Sequence, residues 1–72
     1  MAEPDLEVDA LGLLCPLPIL RLRKRMLILP AGAVIRLLAD DPAAHLDVPH
    51  FCAESGHTFL GVDGVAFTVR KG

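Results

Sequence analysis

The residue of this sequence best suited to covalent chemistry is Cys15, which is followed by prolines at Pro16 and Pro18. Proline favours the first turn of a helix, because the N–H that it lacks would have no intrahelical partner there. The residues after Pro18 are good helix formers, so we predict a helix over residues 16–29. This placement puts Cys15 at or beside the N-cap of the helix.

The sulfur of Cys15 is predicted to lie near the amides of Leu17 and Ile19, because Pro16 and Pro18 donate no hydrogen bond. Free amides and the positive end of a helix favour a thiolate over a thiol. Such a position can lower the pKa of a cysteine from about 8.5 toward or below neutrality. The helix start at residues 16–19 therefore predicts a stabilised, nucleophilic sulfur. The alternative is that Cys15 is a small apolar residue at a proline-rich helix start.

Other thiol and histidine chemistry is disfavoured by residue spacing. Cys52 and the histidines form no CxxC or HxxxH pair, so we expect no metal site and no bound cofactor. Pro18 stands where the second cysteine of a CxxC redox motif would be. A histidine base for Cys15 would resemble a cysteine hydrolase, but a chain of 72 residues leaves little room for a substrate cleft. A single activated thiol instead suits a carrier, and Cys52 is interpreted as a small core residue.

Composition predicts one small domain, residues 1–72, with an efficient aliphatic core, because 53% of the residues are hydrophobic. A net charge of −2 and the absence of Trp and Tyr argue against direct nucleic-acid binding. The longest apolar stretch, residues 10–20, is too short to span a bilayer, and no signal peptide is evident. We therefore expect a cytoplasmic monomer with reduced thiols.

Hydrophobic periodicity and turn residues predict six elements in the order β-α-β-α-β-β. The predicted strands are residues 5–9, 34–39, 57–62 and 65–69. The second helix is predicted to have Asp47 as its N-cap, Pro49 in its first turn and Gly56 at its end. Asp63-Gly64 is predicted to be the turn of a two-residue hairpin.

This element order predicts an α+β fold, a two-layer α/β sandwich with a mixed four-stranded sheet and two helices on one face. The first strand-helix-strand unit implies a right-handed parallel crossover, and the closing hairpin adds an antiparallel pair. Two helices cover only one face of four strands, so the other face of the sheet is expected to be partly open.

The first helix is predicted to pack one apolar stripe against the sheet and to leave a second apolar surface uncovered. The stripe consists of Ile19, Leu22, Met26 and Leu29, spaced three and four residues apart. Four further apolar residues fall outside the stripe, which suggests a docking surface near Cys15; they are Leu17, Leu20, Leu27 and Ile28.

The sequence resembles the TusA (SirA-like) sulfur-carrier family through the Cys15-Pro16-x-Pro18 step and the Asp9 to Leu13 segment before it. The resemblance spans nearly the whole chain. Its further matching segments are Arg23-Lys24, Pro30-x-Gly32, Ala39 to Ala43, Asp47-x-Pro49, Phe51-Cys52, His57 and Arg70-Lys71-Gly72.

This resemblance implies a sulfurtransferase that carries a persulfide on Cys15. Members of the family receive sulfane sulfur from a cysteine desulfurase or a rhodanese-like donor and pass it to a DsrE/TusD-type acceptor, in some cases for tRNA 2-thiolation. Other relatives serve sulfur oxidation, molybdenum cofactor supply or selenium metabolism. Residues 36–38 and 44–46 carry no marker of one branch, so the pathway stays open.

The predicted mechanism is attack of the Cys15 thiolate on the outer sulfur of a donor persulfide, with the resulting anion held at the helix start. Partner proteins are expected to dock on an apolar collar around Cys15, which is formed by Leu11, Leu13, Leu14 and Leu17. A basic helix edge is expected to meet acidic partner surfaces; it is formed by Arg21, Arg23, Lys24 and Arg25. The basic edge has a simpler interpretation as a solvated helix face. The competing function is a non-catalytic interaction or regulatory module in which Cys15 only starts a helix.

Overall fold

The structure, a computed structural model, describes residues 3–72 and has the predicted order β-α-β-α-β-β; Met1 and Ala2 lie outside the described residues. The elements are β1 (Leu6–Asp9), α1 (Leu17–Met26), β2 (Val34–Leu38), α2 (Ala44–Ser55), β3 (Thr58–Asp63) and β4 (Ala66–Arg70).

The four strands form one mixed sheet in the order β1-β2-β4-β3. β1 and β2 are parallel, while β4 pairs antiparallel with both β2 and β3. The predicted α+β sandwich is therefore confirmed. The parallel pairing has a consequence for the site, because it brings the carboxyl ends of β1 and β2 to the same end of the sheet.

The core lies between the sheet and the two helices and is almost entirely aliphatic. In β2, Ile35 and Leu37 are fully buried, whereas Arg36 between them is half-buried on the other face. This alternation is the two-residue period of a strand. The other fully buried side chains of the core are Val8, Ala10, Leu22, Val48, Phe67 and Val69.

The stripe of α1 packs as predicted, but the helix ends three residues earlier than expected. Leu22 and Met26 are buried, and Ile19 and Leu29 pack partly against the core. The Leu29 amide donates to the carbonyl of Met26, a bond typical of a 3₁₀ turn. Pro30 explains why the α-helix ends before Leu29, because a proline disfavours the α conformation of the residue before it.

The predicted start of α2 at Asp47 is wrong: the helix begins at Ala44, after the N-cap Ala43. Asp41 initiates it, because its Oδ1 accepts the Ala43 amide at 3.0 Å. Pro49 consequently lies inside the helix rather than in its first turn. The predicted stop is confirmed, since Gly56 has φ +77° and takes the left-handed conformation that ends many helices. The Asp47 side chain, with no capping role, is available for another contact.

The hairpin between β3 and β4 turns one residue later than predicted. Asp63 pairs with Ala66, so the two-residue loop is Gly64 and Val65 rather than Asp63-Gly64. Gly64 has φ +60°, the region that such tight hairpins require and that glycine adopts without strain.

The side chain of Lys71 caps the C-terminal end of α1. Its Nζ donates to the carbonyl of Met26 at 2.7 Å and to that of Leu29 at 2.5 Å. These carbonyls lie at and just beyond the negative end of the helix, where a positive charge is favourable, and the Met26 carbonyl accepts the Leu29 amide as well.

We expect Lys71→Ala to lower the free energy of unfolding by about 1–2 kcal/mol, because it removes two charge-assisted hydrogen bonds. Thermal or urea unfolding followed by circular dichroism measures the loss. Arg70→Ala is the matched control, because Arg70 is exposed and its side chain has no hydrogen-bond partner among residues 3–72. Equal losses in both variants would contradict the capping role.

Candidate functional site

Cys15 lies on the loop between β1 and α1, immediately before Pro16, which is the N-cap of α1. The side chain of Cys15 is exposed. The predicted position beside the N-cap is therefore confirmed, and the Cys15–Pro16 peptide bond is cis.

Three carboxylates at the carboxyl ends of β1 and β2 hold this loop by its backbone amides. Asp9 accepts the amide of Leu11, and Asp40 accepts the amide of Gly12 at 2.9 Å. Asp41 accepts the amide of Cys15 at 2.6 Å while its other oxygen binds the start of α2. These hydrogen bonds hold the pKa of Asp41 below its usual range, so Asp41 stays ionised and keeps the loop and α2 together.

The thiol of Cys15 donates a hydrogen bond to Oδ2 of Asp47, in the first turn of α2, with an Sγ–Oδ2 distance of 2.7 Å. This hydrogen bond is the main reason that the pKa of Cys15 is raised above its ordinary value. Partial desolvation and the negative charges of Asp47 and Asp41 raise it further. The free protein therefore keeps Cys15 as a protonated thiol at neutral pH.

This direction is opposite to the lowered pKa predicted from the helix start alone. The amide of Leu17 is not a free donor, because it donates to the carbonyl of Leu14 at 2.8 Å. The carboxylates of Asp47 and Asp41 raise the pKa of Cys15, and each comes from a part of the chain distant in sequence. A role for Pro16, Leu17, Pro18 and Ile19 in holding a sulfur anion stays a prediction.

An open cleft of about 310 Å³ between α1 and α2 begins at Cys15. One wall is formed by α1 and the turn before it, and the other by α2. The lining residues are Cys15, Pro16, Ile19, Leu20 and Arg23 on the first wall and Asp47, His50, Phe51, Glu54 and Ser55 on the second. The cleft is thus a groove with both apolar and charged lining residues, and the Cys15 side chain lies at the end where α1 begins.

The residues predicted to dock partners differ in where they lie relative to the cleft. Leu14 is 71% exposed beside Cys15, and Arg23 lines the cleft. Lys24 and Arg25 are exposed outside it. Leu13 packs partly against the core, and Arg21 donates to the backbone carbonyl of Asp9 at 2.8 Å. A docking role for these residues stays a prediction, and the placement favours Leu14 and Arg23.

Cys52 is a core residue, as predicted. It is 2% exposed on the inner face of α2, and burial raises the pKa of its thiol. The two cysteines therefore differ in access to solvent, and Cys15 alone of the pair is open to a reaction partner.

Sequence reasoning missed Asp40, Asp41 and Asp47 as site residues and treated them as turn and cap residues. The signal for the first two was present in the element order. A parallel β-α-β unit places the residues after its two strands side by side, and Asp40-Asp41 follow the second strand as the Cys15 loop follows the first.

We expect Cys15 of the free protein to react with iodoacetamide more slowly at neutral pH than the cysteine of an unstructured peptide does, because only the thiolate is nucleophilic. The rate should rise with pH as the thiolate forms, along a curve that lies at higher pH than the curve of the peptide, because the pKa of Cys15 is raised. Intact-mass measurement of singly alkylated protein from neutral to alkaline pH gives the titration curve. A neutral-pH rate above that of the peptide would contradict the effect assigned to Asp47 and would favour the lowered pKa predicted from the helix start.

No helix in residues 3–72 is both long enough and apolar enough to cross a bilayer. Across the same part of the chain, no group of three or more His, Cys, Asp or Glu side chains is arranged to hold a metal ion.

Comparison with known proteins identifies one protein family that this chain resembles. The family described as "Sulfurtransferase TusA" matches residues 6–71. The sulfur carrier protein TusA of Pseudomonas syringae pv. syringae (strain B728a) is 41% identical over 66 residues, covering 83% of this chain and 79% of that protein. The protein of the same name from Pseudomonas entomophila (strain L48) is 44% identical over 57 residues, covering 79% and 71%.

A solved structure supports the same relationship at the level of the fold. The crystal structure of a SirA-like protein from Desulfitobacterium hafniense matches with a TM-score of 0.66 and 27% sequence identity. The match covers 89% of this chain and 90% of that one.

Proposed function

Because the chain belongs to the TusA family of sulfur carriers, we propose that it accepts sulfane sulfur on Cys15 and relays it as a persulfide. The observation that supports Cys15 most strongly is its placement: of the two cysteines, it is the exposed one, and it stands at the end of an open cleft. Cys52 is enclosed by the core and offers no route for a partner's sulfur.

The proposed reaction is a transfer of one sulfur atom between cysteines. Cys15 attacks the outer sulfur of a donor persulfide, and the donor's inner sulfur leaves as a thiol. The acceptor then repeats the attack on the outer sulfur of the Cys15 persulfide. No cofactor is needed, because sulfane sulfur keeps its oxidation state throughout.

The proposed sulfur donor is a cysteine desulfurase or a rhodanese-like protein, and the proposed acceptor is of the DsrE/TusD type. The half-exposed Leu17 and the more exposed Leu14 lie next to Cys15 and supply apolar contacts for such partners, and Arg23 supplies a charge at the cleft. The exposed position of Cys15 lets a second cysteine approach the sulfur without a change of fold.

The proposed setting is the cytoplasm, where a reducing environment keeps the thiol free between rounds of loading. The downstream product, for which tRNA 2-thiolation is one candidate, is reached through the acceptor rather than by direct nucleic-acid binding. Seven basic residues against nine acidic ones provide little phosphate neutralisation.

The test is to incubate the protein with a cysteine desulfurase and cysteine and to record its intact mass. We expect a population heavier by one sulfur atom, which returns to the original mass when a reducing thiol is added. Omission of the desulfurase is the control. An unchanged mass with both desulfurase and rhodanese donors would reject the carrier function in favour of an interaction module.

A further inference from the structure

The carboxylate of Asp47 contacts the sulfur that reacts, and it does so from the opposite wall of the cleft. Its Oδ2 accepts a hydrogen bond from the Cys15 thiol, with an Sγ–Oδ2 distance of 2.7 Å. We propose that Asp47 is a catalytic residue that relays a proton between Cys15 and the partner's sulfur during each sulfur transfer. This inference rests on the carrier function proposed above.

A proton must cross the site in every transfer, as the balance of the reaction shows. A persulfide is more acidic than a thiol, so at neutral pH the donor enters as an anion and the empty carrier as a thiol. The overall change is Cys15–SH plus donor–S–S⁻ giving Cys15–S–S⁻ plus donor–SH. The bond from Cys15 Sγ to the outer sulfur forms, and the donor's S–S bond breaks. The donor's inner sulfur leaves with the electron pair and needs the proton that Cys15 gives up.

Asp47 is placed to receive that proton and to return it. As the new S–S bond forms, the proton passes from Cys15 Sγ along the existing hydrogen bond to the carboxylate. Asp47 lines the cleft, where a donor cysteine would enter, so the protonated carboxyl faces the leaving sulfur. On delivery the direction reverses: Asp47 takes the proton of the acceptor thiol and gives it to Cys15 Sγ as that sulfur leaves.

The neighbouring carboxylates are less suited to this relay because they hold backbone amides. Both oxygens of Asp41 accept amide hydrogens, from Cys15 and Ala43. Asp40 binds the amide of Gly12. In the part of the chain that the structure describes, the only hydrogen bond accepted by the Asp47 side chain comes from the thiol. The charged or titratable groups that share the cleft or border Cys15 are Arg23 on α1, Asp40 and Asp41 before α2, and Asp47, His50 and Glu54 on α2.

The relay predicts that two rates move in opposite directions in Asp47→Asn. Alkylation by iodoacetamide should become faster at neutral pH, because the anionic hydrogen-bond partner that opposes the thiolate is gone. Loading from glutathione persulfide should become slower, by about a hundredfold at neutral pH, because no carboxyl group returns the proton to the leaving sulfur. Loading should then rise with pH as more of Cys15 is present as thiolate, whereas the wild-type profile should be flatter.

The experiment uses glutathione persulfide as the donor, so that docking of a protein partner does not enter the result. Loading is followed by intact mass across neutral and alkaline pH, with circular dichroism to show that the variant is folded. Asp47→Glu keeps a carboxylate and should retain part of the loading rate. Glu7→Gln is the control for net charge, because Glu7 pairs with Arg36 on the sheet face away from the helices.

The outcomes separate this relay from the carrier function. Faster alkylation with slower, pH-dependent loading supports the relay. An Asp47→Asn variant that speeds both reactions would show that Asp47 only restrains the thiol, and unchanged loading would show that it has no role; either result overturns the relay and leaves the carrier function standing. Wild-type protein that takes no sulfur from this donor or from a desulfurase overturns both.

Discussion

Cys15→Ala is expected to abolish desulfurase-dependent loading, whereas Cys52→Ala retains it. Removal of the Cys15 sulfur eliminates the only exposed thiol in residues 3–72, so no slow residual loading should remain in this variant. Cys52→Ala instead removes a buried sulfur from the core. We expect it to lower the free energy of unfolding by about 1 kcal/mol and to leave the loading rate near that of the wild type.

Intact mass after incubation with a cysteine desulfurase and cysteine measures loading in both variants, and circular dichroism verifies their fold. Each variant serves as the control for the other, because both lose one thiol. Loading that survives Cys15→Ala and disappears in a folded Cys52→Ala would move the carrier site into the core and overturn the assignment of Cys15.

Charge reversal at the cleft should impair loading by a protein donor. Arg23 is the arginine that lines the same cleft as Cys15, so Arg23→Glu changes the charge of the cleft that a donor must approach. We expect loading from a desulfurase to slow by roughly tenfold or more at low ionic strength, and the defect to shrink as salt is added. Single-turnover loading kinetics measure the effect.

Arg70→Glu is the matched control, because it makes the same charge change on an exposed residue at the end of β4. It should load at close to the wild-type rate. Equal slowing in both variants would indicate a response to net charge alone and would contradict a docking role for the cleft. A defect of Arg23→Glu that persists with glutathione persulfide would place Arg23 in the chemistry rather than in docking.

The sequence was sufficient to predict most of the architecture, because local patterns determine it. The alternation of apolar residues in β2, the spacing of Leu22 and Met26 in α1 and the left-handed Gly56 all depend on neighbours within a few residues. The failures also have local causes. α2 starts earlier than Asp47 because Asp41 accepts the Ala43 amide in the turn before the helix. α1 ends in a 3₁₀ turn because Pro30 follows it.

The position of Cys15 could be predicted from the prolines after it, but its protonation could not. The thiol's partner is Asp47, 32 positions away in sequence, and its amide's partner is Asp41, 26 positions away. The packing of α2 beside α1 brings Asp47 to the sulfur, and the parallel pairing of β1 and β2 brings Asp41 to the amide. A pKa set by tertiary neighbours cannot be deduced from the helix start alone, and this explains why the predicted direction was wrong.

The most direct test of the carrier function is to locate the added sulfur in the wild-type protein. Trypsin cuts after Arg21, Arg36 and Arg70, so Cys15 falls in peptide 1–21 and Cys52 in peptide 37–70. After loading by a desulfurase, the persulfide is trapped with iodoacetamide and both peptides are weighed. We predict the extra sulfur atom in peptide 1–21 alone; finding it in peptide 37–70, or in neither peptide of a loaded sample, would contradict the account.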